Sequence, residues 1–411
     1  MRPLTEAQRD VLDAMTPLPP ERVPLAEARG LVLAEPVAAP HPVPPFDNSA
    51  VDGFAVRAAD TAEVPVTLAV VEDVSAGSVP SREVGPGQAI RIMTGAVLPV
   101  GADAVVMVED TESNAGEVRV LAGARPGDHV RPSGGDLGQG AVVFEAGERL
   151  FPAHLGVLAA IGVARPLVCR RPVVAVLSTG DELTPVETER LRPGGIRDSN
   201  RPMLVGMLAD LGAEALDLGI VPDDEDALRT ALDDASRRAD AVVTSGGVSM
   251  GEHDLVKKVL ADLGTVDFWR VAMQPAKPFA FGFLGETPLF GLPGNPVSVV
   301  VAFEQFVRPA LLERMGARRL FRPRSAAVAG ESLRTDPEKI VFLRVVVDPG
   351  EDAPVVRPAG GQASNVLSAL AAADAFAVIP VGVGDVAEGD RVEVEWFGSM
   401  ERRTRKEAID G

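Results

Sequence analysis

The sequence predicts a multidomain α/β protein built around a doubly wound parallel sheet. Between residues 171 and 317, apolar runs of strand length alternate four times with segments of helical periodicity, which is typical of βαβ units. The regions on both sides contain short apolar runs separated by glycine and proline, which is typical of β-rich domains. A chain of 411 residues is long enough for two to four such domains.

Changes in composition along the chain predict four domains. A proline-dense segment, residues 36–45, is incompatible with a helix or a central strand and therefore marks a linker. The predicted domains are a helical and extended first domain (residues 1–45 and 141–170), a β-rich insertion domain (46–140), a central α/β domain (171–317) and a C-terminal β-barrel-like domain (318–411).

The composition also limits the expected partners. The chain has 59 Asp and Glu but 40 Lys and Arg, and its formal net charge of −19 disfavours binding to nucleic acid or to an anionic membrane. A single cysteine, Cys169, excludes an internal disulfide framework, and the four histidines lack the spacing of a zinc centre. We find no signal-peptide pattern and no apolar run of membrane-spanning length, so we expect a cytoplasmic protein.

A glycine-rich turn, Thr244–Gly251, follows the buried strand predicted for Asp240–Val243. A segment of helical periodicity, Asp254–Leu263, comes directly after the turn. Because the first N–H groups of a helix are unpaired and its dipole places partial positive charge there, such a turn favours anion binding. A plain turn between a strand and a helix has the same sequence features.

Two further strand ends are polar or rich in glycine. The strand predicted for Pro172–Leu177 ends in Ser178-Thr179-Gly180-Asp181-Glu182, and the strand Leu289–Leu292 ends in Pro293-Gly294-Asn295-Pro296. A helix follows Asp198-Ser199-Asn200. Since ligands of open α/β sheets bind outside the carboxyl ends of the strands, we expect these segments to form one crevice.

Acidic residues also lie near this predicted crevice. In so acidic a protein, a bound phosphate would need a metal ion to bridge it to nearby carboxylates. Asp223 and Asp224 begin a helix, where acidic residues ordinarily act as caps and as partners of the helix dipole. Their sequence position therefore fits either a structural or a metal-binding role.

The predicted insertion domain contains three motifs with polar side chains. Asp47–Gly53 fits a turn entering a strand, or a rigid backbone that holds Asp52 towards another domain. Arg91–Ala96 contains Thr94, and Ser133–Asp136 places a further carboxylate on a glycine turn.

Seven motifs together resemble the molybdopterin molybdotransferases, the MoeA and gephyrin E-domain family. Each is weak alone, but their order along nearly the whole chain is specific. The motifs are Asp47-Asn48-Ser49-Ala50-Val51-Asp52-Gly53, Arg91-Ile92-Met93-Thr94-Gly95-Ala96, Ser178-Thr179-Gly180-Asp181-Glu182-Leu183, Asp198-Ser199-Asn200, Thr244-Ser245-Gly246-Gly247-Val248-Ser249, Pro275-Ala276-Lys277-Pro278 and Gly291-Leu292-Pro293-Gly294-Asn295-Pro296.

The resemblance implies an elongated, four-part subunit and a homodimer. Its active site would lie in a cleft between the α/β domain of one subunit and the insertion domain of the other. The implied reaction takes adenylylated molybdopterin and molybdate, cleaves the adenylate with Mg²⁺ present, and releases molybdenum cofactor and AMP. An upstream adenylyltransferase is a further implied partner, through docking.

The resemblance also assigns roles to individual residues. Asp52, Thr94 and Asp136 would position molybdate or water, whereas Arg270 and Lys277 would bind phosphate or the molybdate oxyanion. The expected catalytic residues are Asp52, Thr94, Asp136, Glu182 and Asp254, and the expected Mg²⁺ ligands are Glu182, Asp223, Asp224 and Asp254. The expected substrate-binding residues are Ser178, Thr179, Gly180, Asp181, Ser199, Asn200, Ser245, Gly246, Gly247, Val248, Ser249, Arg270, Lys277, Pro293, Gly294, Asn295 and Pro296.

One departure from the family pattern concerns positive charge. Gln274 stands where many relatives have lysine, and the Arg270 position is commonly lysine as well. Two other functions remain compatible with these motifs. One is a non-catalytic pterin-binding or scaffolding protein, because a fold does not fix a function. The other is a molybdopterin adenylyltransferase, which resembles residues 171–316 alone, so the additional domains argue against it.

Overall fold

The computed structural model describes residues 1–246, 255–350 and 352–397. The chain divides into two compact units. The larger unit comprises Met1–Glu21, Gly30–Ala34 and Val168–Gly411, and the smaller unit comprises Arg22–Arg29 and Glu35–Leu167. No helix within the described ranges is long and apolar enough to cross a membrane.

The α-helices of the described residues are, in chain order, α1 (Leu4–Asp13), α2 (Pro152–Ala160), α3 (Asn200–Leu211), α4 (Glu225–Arg238), α5 (Leu255–Leu263), α6 (Pro296–Ala302), α7 (Arg308–Arg314) and α8 (Leu367–Ala371). Short 3₁₀ turns occur at Leu25–Glu27, Ala58–Thr61 and Val108–Asp110, and a π-helical segment, Phe303–Val307, joins α6 to α7.

The strands before residue 170 are β1 (Pro20–Arg22), β2 (Val37–Ala38), β3 (Asn48–Ser49), β4 (Gly53–Val56), β5 (Val66–Val74), β6 (Gln88–Ile92), β7 (Ala104–Met107), β8 (Thr111–Asn114), β9 (Glu117–Val120), β10 (Val130–Arg131), β11 (Val142–Phe144) and β12 (Leu167–Cys169). The remaining strands are β13 (Val173–Thr179), β14 (Leu183–Thr184), β15 (Ile196–Arg197), β16 (Glu214–Val221), β17 (Ala241–Ser245), β18 (Thr265–Arg270), β19 (Met273–Gln274), β20 (Pro278–Leu284), β21 (Thr287–Leu292), β22 (Arg324–Ala329), β23 (Ile340–Asp348), β24 (Val355–Pro358), β25 (Ala375–Ile379) and β26 (Arg391–Trp396).

A six-stranded mixed sheet dominates the smaller unit, with the strand order β7-β4-β6-β5-β9-β8. Only the β5–β6 pair of this sheet is parallel. Strand β4 is buried along its whole length because its alternate side chains enter two apolar clusters, Phe54 and Val56 on one side and Ala55 on the other. The β-rich character expected of this region is therefore observed, while the limits 46–140 of an insertion domain stay a prediction.

The central sheet of the larger unit has the strand order β16-β13-β17-β21-β20-β18. Strands β16, β13, β17 and β21 are parallel to one another, as the βαβ alternation predicts. Strands β20 and β18 were not predicted, and both pairs they form are antiparallel. The antiparallel pairing of β20 with β21 has a local reason. Only Gly285 and Glu286 join these two strands, and so short a connection permits only a hairpin.

Helices cover both faces of this sheet, which agrees with a doubly wound fold. Leu228 and Leu232 of α4 form one core cluster with Leu260 of α5 and with Ala175 and Leu177 of β13. Helix α3 contacts β13 and β16 and also contacts α6. Because side chains alternate along a strand, the other side chains of β13 serve the face that α3 covers.

The C-terminal strands form a closed barrel of five strands. The order β23-β24-β22-β26-β25 is closed by pairing of β25 with β23, and valines and alanines of these strands fill the interior. Strand β19 adds to the barrel, since Met273 and Gln274 pair with Ile340 and Val341 of β23. The segment between β18 and β20 therefore connects the central sheet to the barrel, and the predicted barrel-like domain is confirmed.

Candidate active site

Three parallel strands of the central sheet end side by side. Ser178 at the end of β13 is paired with Ser245 at the end of β17, and Ser245 is paired with Leu292 at the end of β21. The polar segments that follow these strands are therefore neighbours in space. The structure brings together strand ends that are far apart in the sequence.

A cavity of about 350 Å³ lies at these strand ends, and we call it the strand-end cavity. Of the residues predicted to bind substrate or metal, it is lined by Thr179, Glu182, Ser199, Asn200, Ser245, Gly246, Gly294, Asn295 and Pro296. Ser178, Gly180, Asp181 and Pro293 are chain neighbours of these lining residues. Gly247, Val248, Ser249 and Asp254 lie outside the described residues.

Asn200 connects the walls of the strand-end cavity. Its side-chain Nδ2 donates hydrogen bonds to Ser245 Oγ (2.9 Å) and to the Gly294 carbonyl (2.7 Å). Only 9% of Asn200 is exposed, and its Oδ1 has no hydrogen-bond partner among the described residues. Because an unpaired buried acceptor is costly, this oxygen is available to a donor group of a ligand.

Gly246 occupies a position that requires glycine. Its φ of +94° lies in the left-handed region, and a Cβ atom there would lie 2.5 Å from the Thr179 carbonyl oxygen. The N–H of Gly246 donates to the Leu292 carbonyl (3.1 Å), so this amide is occupied by the strand ends themselves. The sequence had suggested it as a phosphate donor. By contrast, the N–H groups of Gly294 and Asn295 have no hydrogen-bond partner within the described ranges.

Asp223 is held close to the end of β13 rather than left free. Its carboxylate accepts hydrogen bonds from the Thr179 hydroxyl (2.5 Å) and from the Asp181 N–H (3.4 Å), and Asp181 accepts from the Asp223 N–H (3.5 Å). Asp224 acts as the N-cap of α4, because its side chain accepts from the Ala227 N–H at 2.9 Å. Asp224 therefore has the structural role of a cap, and its metal-binding role stays a prediction.

The carboxylates around this cavity do not form a complete metal site by themselves. Glu182 is exposed on the cavity wall. Within the described ranges, no group of three or more His, Cys, Asp or Glu side chains is arranged to hold a metal ion. Asp254, the fourth expected ligand, lies outside those ranges. A hard cation would therefore need oxygen donors beyond this described set, such as phosphate oxygens of a ligand.

A second cavity of about 530 Å³ lies between the central sheet and the barrel, and we call it the cationic cavity. Its charged lining residues are Lys277, Arg334 and Lys339. Its polar lining residues include Gln274, Asn295, Ser298, Gln362 and Ser364, and Asn295 also lines the strand-end cavity. Arg270, which the sequence groups with Lys277, is exposed at the end of β18 and lines neither cavity.

Arg334 and Lys339 were not found from the sequence. They lie about sixty residues after Lys277, in a region read only as small strands. Their place in the cavity depends on the pairing of β19 with β23, a tertiary contact without a local sequence signal.

In the smaller unit, Asp52 and Thr94 form a connected pair. Asp52 Oδ1 accepts a hydrogen bond from the Thr94 N–H (2.7 Å) and another from the Thr94 hydroxyl (2.8 Å). These two bonds, the backbone one first, lower the pKa of the Asp52 carboxyl, and the charge of Arg91 acts in the same direction. Asp52 is therefore an anion held in a fixed orientation.

Asp136 is exposed on its glycine turn, and its N–H donates to the Val43 carbonyl (3.0 Å). The same turn is fixed by Asp47, whose carboxylate accepts from the Ser133 N–H at 2.7 Å. Asp47 was quoted in the sequence only as part of a motif. In the structure, the Asp47 carboxylate stabilises the turn that carries Asp136.

Three family models match consecutive parts of the chain. The "MoeA N-terminal region (domain I and II)" matches residues 2–162, the "Probable molybdopterin binding domain" matches residues 175–313, and the "MoeA C-terminal region (domain IV)" matches residues 326–397. Together they span both units.

The chain is also similar over its whole length to named proteins. It is 42% identical to "Molybdopterin molybdenumtransferase 2" of Mycobacterium tuberculosis, over 96% of this chain and 99% of that protein. It is 38% identical to "Molybdopterin molybdenumtransferase" of Haemophilus influenzae, over 97% and 100%. A crystal structure of the molybdopterin biosynthesis MoeA protein from Pyrococcus horikoshii covers 97% of this chain and 100% of its own, with a TM-score of 0.82 and 31% identity.

Proposed function

The chain belongs to the MoeA family of molybdopterin molybdenumtransferases, and on that basis we propose that it inserts molybdenum from molybdate into adenylylated molybdopterin, releasing AMP. The protein is a transferase of molybdenum cofactor biosynthesis, as its relatives are named. The adenylylated substrate, molybdate, Mg²⁺ and a homodimeric state are parts of the proposal. So are docking to the upstream adenylyltransferase, a cytoplasmic location and the four domain limits given above.

The observation that carries this proposal is the chemistry of the strand-end cavity. It combines the N–H groups of Gly294 and Asn295 with the buried Oδ1 of Asn200, and none of the three has a hydrogen-bond partner in the part of the chain that the structure describes. Amide N–H groups suit the oxygens of a pyrophosphate bridge, and a buried carbonyl oxygen suits an N–H or O–H donor such as a pterin carries. A molecule with both groups would satisfy all three.

In the proposed reaction, the strand-end cavity fixes the bridging phosphates while they accumulate negative charge during cleavage. Donors that are already oriented stabilise such charge without rearranging, and this is the role we assign to the Gly294 and Asn295 amides. Asp52, fixed as an anion by Thr94, would position water or molybdate. Asp136 would act beside it.

Mg²⁺ would supply positive charge to the phosphate oxygens when bound. Glu182 offers a hard oxygen donor on the cavity wall, and Asp223 offers another behind Thr179, although they do not complete a coordination set among the described residues. Asp254 and the second carboxylate oxygen of Asp224 remain proposed ligands.

The direct test is AMP release by the full chain incubated with adenylylated molybdopterin, molybdate and Mg²⁺. We expect AMP and molybdenum cofactor in equal amounts, without consumption of ATP. A scaffolding protein would release no AMP with any divalent cation, and an adenylyltransferase would consume ATP. Either result would overturn the proposal.

Substitutions test whether the predicted residues are required for turnover. Asp52→Ala and Glu182→Ala should abolish turnover while leaving the protein folded, because both side chains are outside the core. Glu214→Ala is the matched control, since Glu214 is an exposed acid at the opposite, amino-terminal end of β16. Wild-type turnover in Asp52→Ala or Glu182→Ala, or loss of turnover in Glu214→Ala, would contradict the assignment.

A further inference from the structure

The cationic cavity holds more positive charge than the sequence indicates. The chain has a net charge of −19, yet Lys277, Arg334 and Lys339 line one concave surface, and no Asp or Glu is among the described residues that line it. Within the described ranges, neither Lys277 nor Arg334 has an ion-pair partner within 4 Å. Such a concentration of charge attracts anions, because low-dielectric walls focus the field into the opening.

Lys339 differs from the other two cations because it already has a partner. Its ammonium forms an ion pair with Asp336, three residues earlier in the chain, and only 18% of the Lys339 side chain is exposed. The Asp336 carboxylate also accepts a hydrogen bond from the Glu338 N–H (3.0 Å). The hydrogen bond from Lys339 is the largest cause that lowers the pKa of Asp336, and the Glu338 N–H and the charges of Lys339 and Lys277 act in the same direction. Asp336 is therefore an anion next to the cavity rather than a neutral acid.

The loop that carries this pair is tied to the barrel. The Thr335 N–H donates to Asp385 (3.0 Å), and the Thr335 hydroxyl donates to the Gly384 carbonyl (2.6 Å). Strand β23 begins directly after Lys339 and pairs with β19, which brings Gln274 into the same cavity. Lys339 and Asp336 are consequently held in place by the barrel and not by the central sheet.

We propose that Lys339 is a binding residue for the oxyanion substrate, and that Asp336 is its counter-charge, which an incoming dianion must outcompete. The proposal rests on the proposed function, since molybdate is the oxyanion of that reaction. Gln274 stands where many relatives have lysine, and Lys339 would supply the positive charge that is lost there. Asp336 limits the affinity, because its carboxylate partly neutralises Lys339 before the oxyanion arrives.

A tetrahedral dianion fits the rest of the lining. Gln274, Ser298 and Ser364 provide neutral hydrogen-bond donors around the three cations, and the volume of about 530 Å³ leaves space for bound water. Lys339, as a flexible point charge, accommodates oxyanions of different size better than a planar guanidinium would.

The test measures binding of molybdate alone to the full chain by calorimetry at constant ionic strength, so it does not depend on turnover. Lys339→Met should raise the Kd about tenfold or more, because a charge-assisted contact is lost. Asp336→Asn should lower the Kd by about threefold or more, because the counter-charge is lost. Lys339→Arg retains the charge and should stay within about threefold of the wild type.

The matched controls are Arg357→Met and Asp348→Asn, which break another ion pair on the same barrel that lines neither cavity. Both should leave the Kd unchanged, and melting curves should show all variants folded. The opposite signs at Lys339 and Asp336 are the decisive result, since a purely structural pair would weaken binding from either side. Unchanged binding in Lys339→Met, or weaker binding in Asp336→Asn, would overturn the inference.

The same measurements separate this inference from the proposed function. If Lys339→Met and Asp336→Asn shift molybdate binding in opposite directions while no AMP is released, the cavity assignment stands and the reaction does not. If AMP is released normally by Lys339→Met at limiting molybdate, the reaction stands and the role of Lys339 is refuted.

Discussion

At the scale of single residues, the structure separates side chains that a motif treats alike. Asp223 and Asp224 are adjacent in the sequence, yet Asp223 accepts the Thr179 hydroxyl while Asp224 caps α4. Arg270 and Lys277 are likewise grouped by sequence, but of the two only Lys277 lines the cationic cavity, and among the described residues neither lines the strand-end cavity. A motif places a residue near a site, whereas its hydrogen bonds decide what the side chain can do there.

Thr94 provides a residue-scale prediction, because it contacts Asp52 through both its backbone and its hydroxyl. Thr94→Val removes the hydroxyl and keeps the N–H, so AMP release should fall about tenfold while the fold is retained. The pKa of Asp52 should rise but remain below the ordinary value of 3.8, since the backbone hydrogen bond is the larger cause of its lowering. Carboxyl-carbon NMR titration measures that shift.

The sign of the accompanying stability effect follows from the lowered pKa. The Asp52–Thr94 pair stabilises the folded state above pH 3.8 and loses this contribution as the pH falls through the folded-state pKa. Thr67→Val, at an exposed position of β5, is the matched control and should alter neither the titration nor AMP release. An unchanged Asp52 titration in Thr94→Val would refute the role of the hydroxyl.

At the scale of elements, periodicity predicted the four parallel strands of the central sheet but not the two antiparallel strands that complete it. The parallel strands β13 and β17 are continuous apolar runs, so composition alone marks them. Strands β18 and β20 are separated by the short β19, which pairs with the barrel instead of the sheet. That partition depends on tertiary pairing, and the sequence between residues 264 and 288 contains no local sign of it.

Gly246 gives a prediction for the junction between strand ends. Gly246→Ala places a Cβ 2.5 Å from the Thr179 carbonyl oxygen in a left-handed backbone, so β13 and β17 must separate at the cavity. We expect a loss of about 1–3 kcal/mol in the free energy of unfolding, together with weaker binding of adenylylated molybdopterin. Chemical denaturation and calorimetry measure the two effects.

The control for this substitution is Gly206→Ala within α3. A Cβ at Gly206 meets no atom within 4 Å, and helix propensity should increase the stability by about 0.5–1 kcal/mol. If both glycine variants behaved alike, the close approach at Gly246 would not be what requires glycine.

A polar network around the buried Glu395 joins four elements of the larger unit, α1, the π-helical segment, β22 and β26, and gives a pH prediction. Gln8 of α1 donates to Gln305 of the π-helical segment (3.2 Å), Gln305 donates to Glu395 of β26 (2.6 Å), and Arg324 donates to the other Glu395 oxygen (3.0 Å). Burial is the largest influence on Glu395 and raises its pKa above the ordinary 4.5, although Arg324 and Gln305 act in the opposite direction.

Because this folded-state pKa is raised, the neutral carboxyl favours folding, and its contribution is lost as the pH rises from 4.5 through the raised pKa. The stability of the wild type relative to Glu395→Gln should fall in this window, with a slope approaching about 1.4 kcal/mol per pH unit. Glu388→Gln, at an exposed position before β26, is the control. Denaturation at several pH values measures the difference, and a pH-independent difference would contradict the prediction.

At the scale of the whole molecule, the family and its C-terminal barrel were predictable because seven motifs occur in the same order as in the family. That order is specific, although each motif alone is ambiguous. The lining of the cationic cavity was not predictable. Lys277 belongs to a motif, but Arg334 and Lys339 come from the barrel and meet it only because β19 pairs with β23. A sequence identifies residues that act through local backbone geometry more readily than residues that act through long-range register.

The last prediction concerns the proposed homodimer, in which each active site would draw on two subunits. Asp52→Ala and Lys277→Ala should each be inactive or nearly so, and mixing them after co-refolding should restore AMP release. With random pairing, half of the dimers carry both variants and one of their two sites is intact, so activity should reach about a quarter of the wild type. A mixture of Asp52→Ala with Asp136→Ala should restore no activity. Both substitutions lie in the predicted insertion domain, so neither site of the mixed dimer would have an intact insertion domain. Sedimentation should show one dimeric species, and a mixture of Asp52→Ala and Lys277→Ala that stays inactive would mean that each site is formed within one subunit.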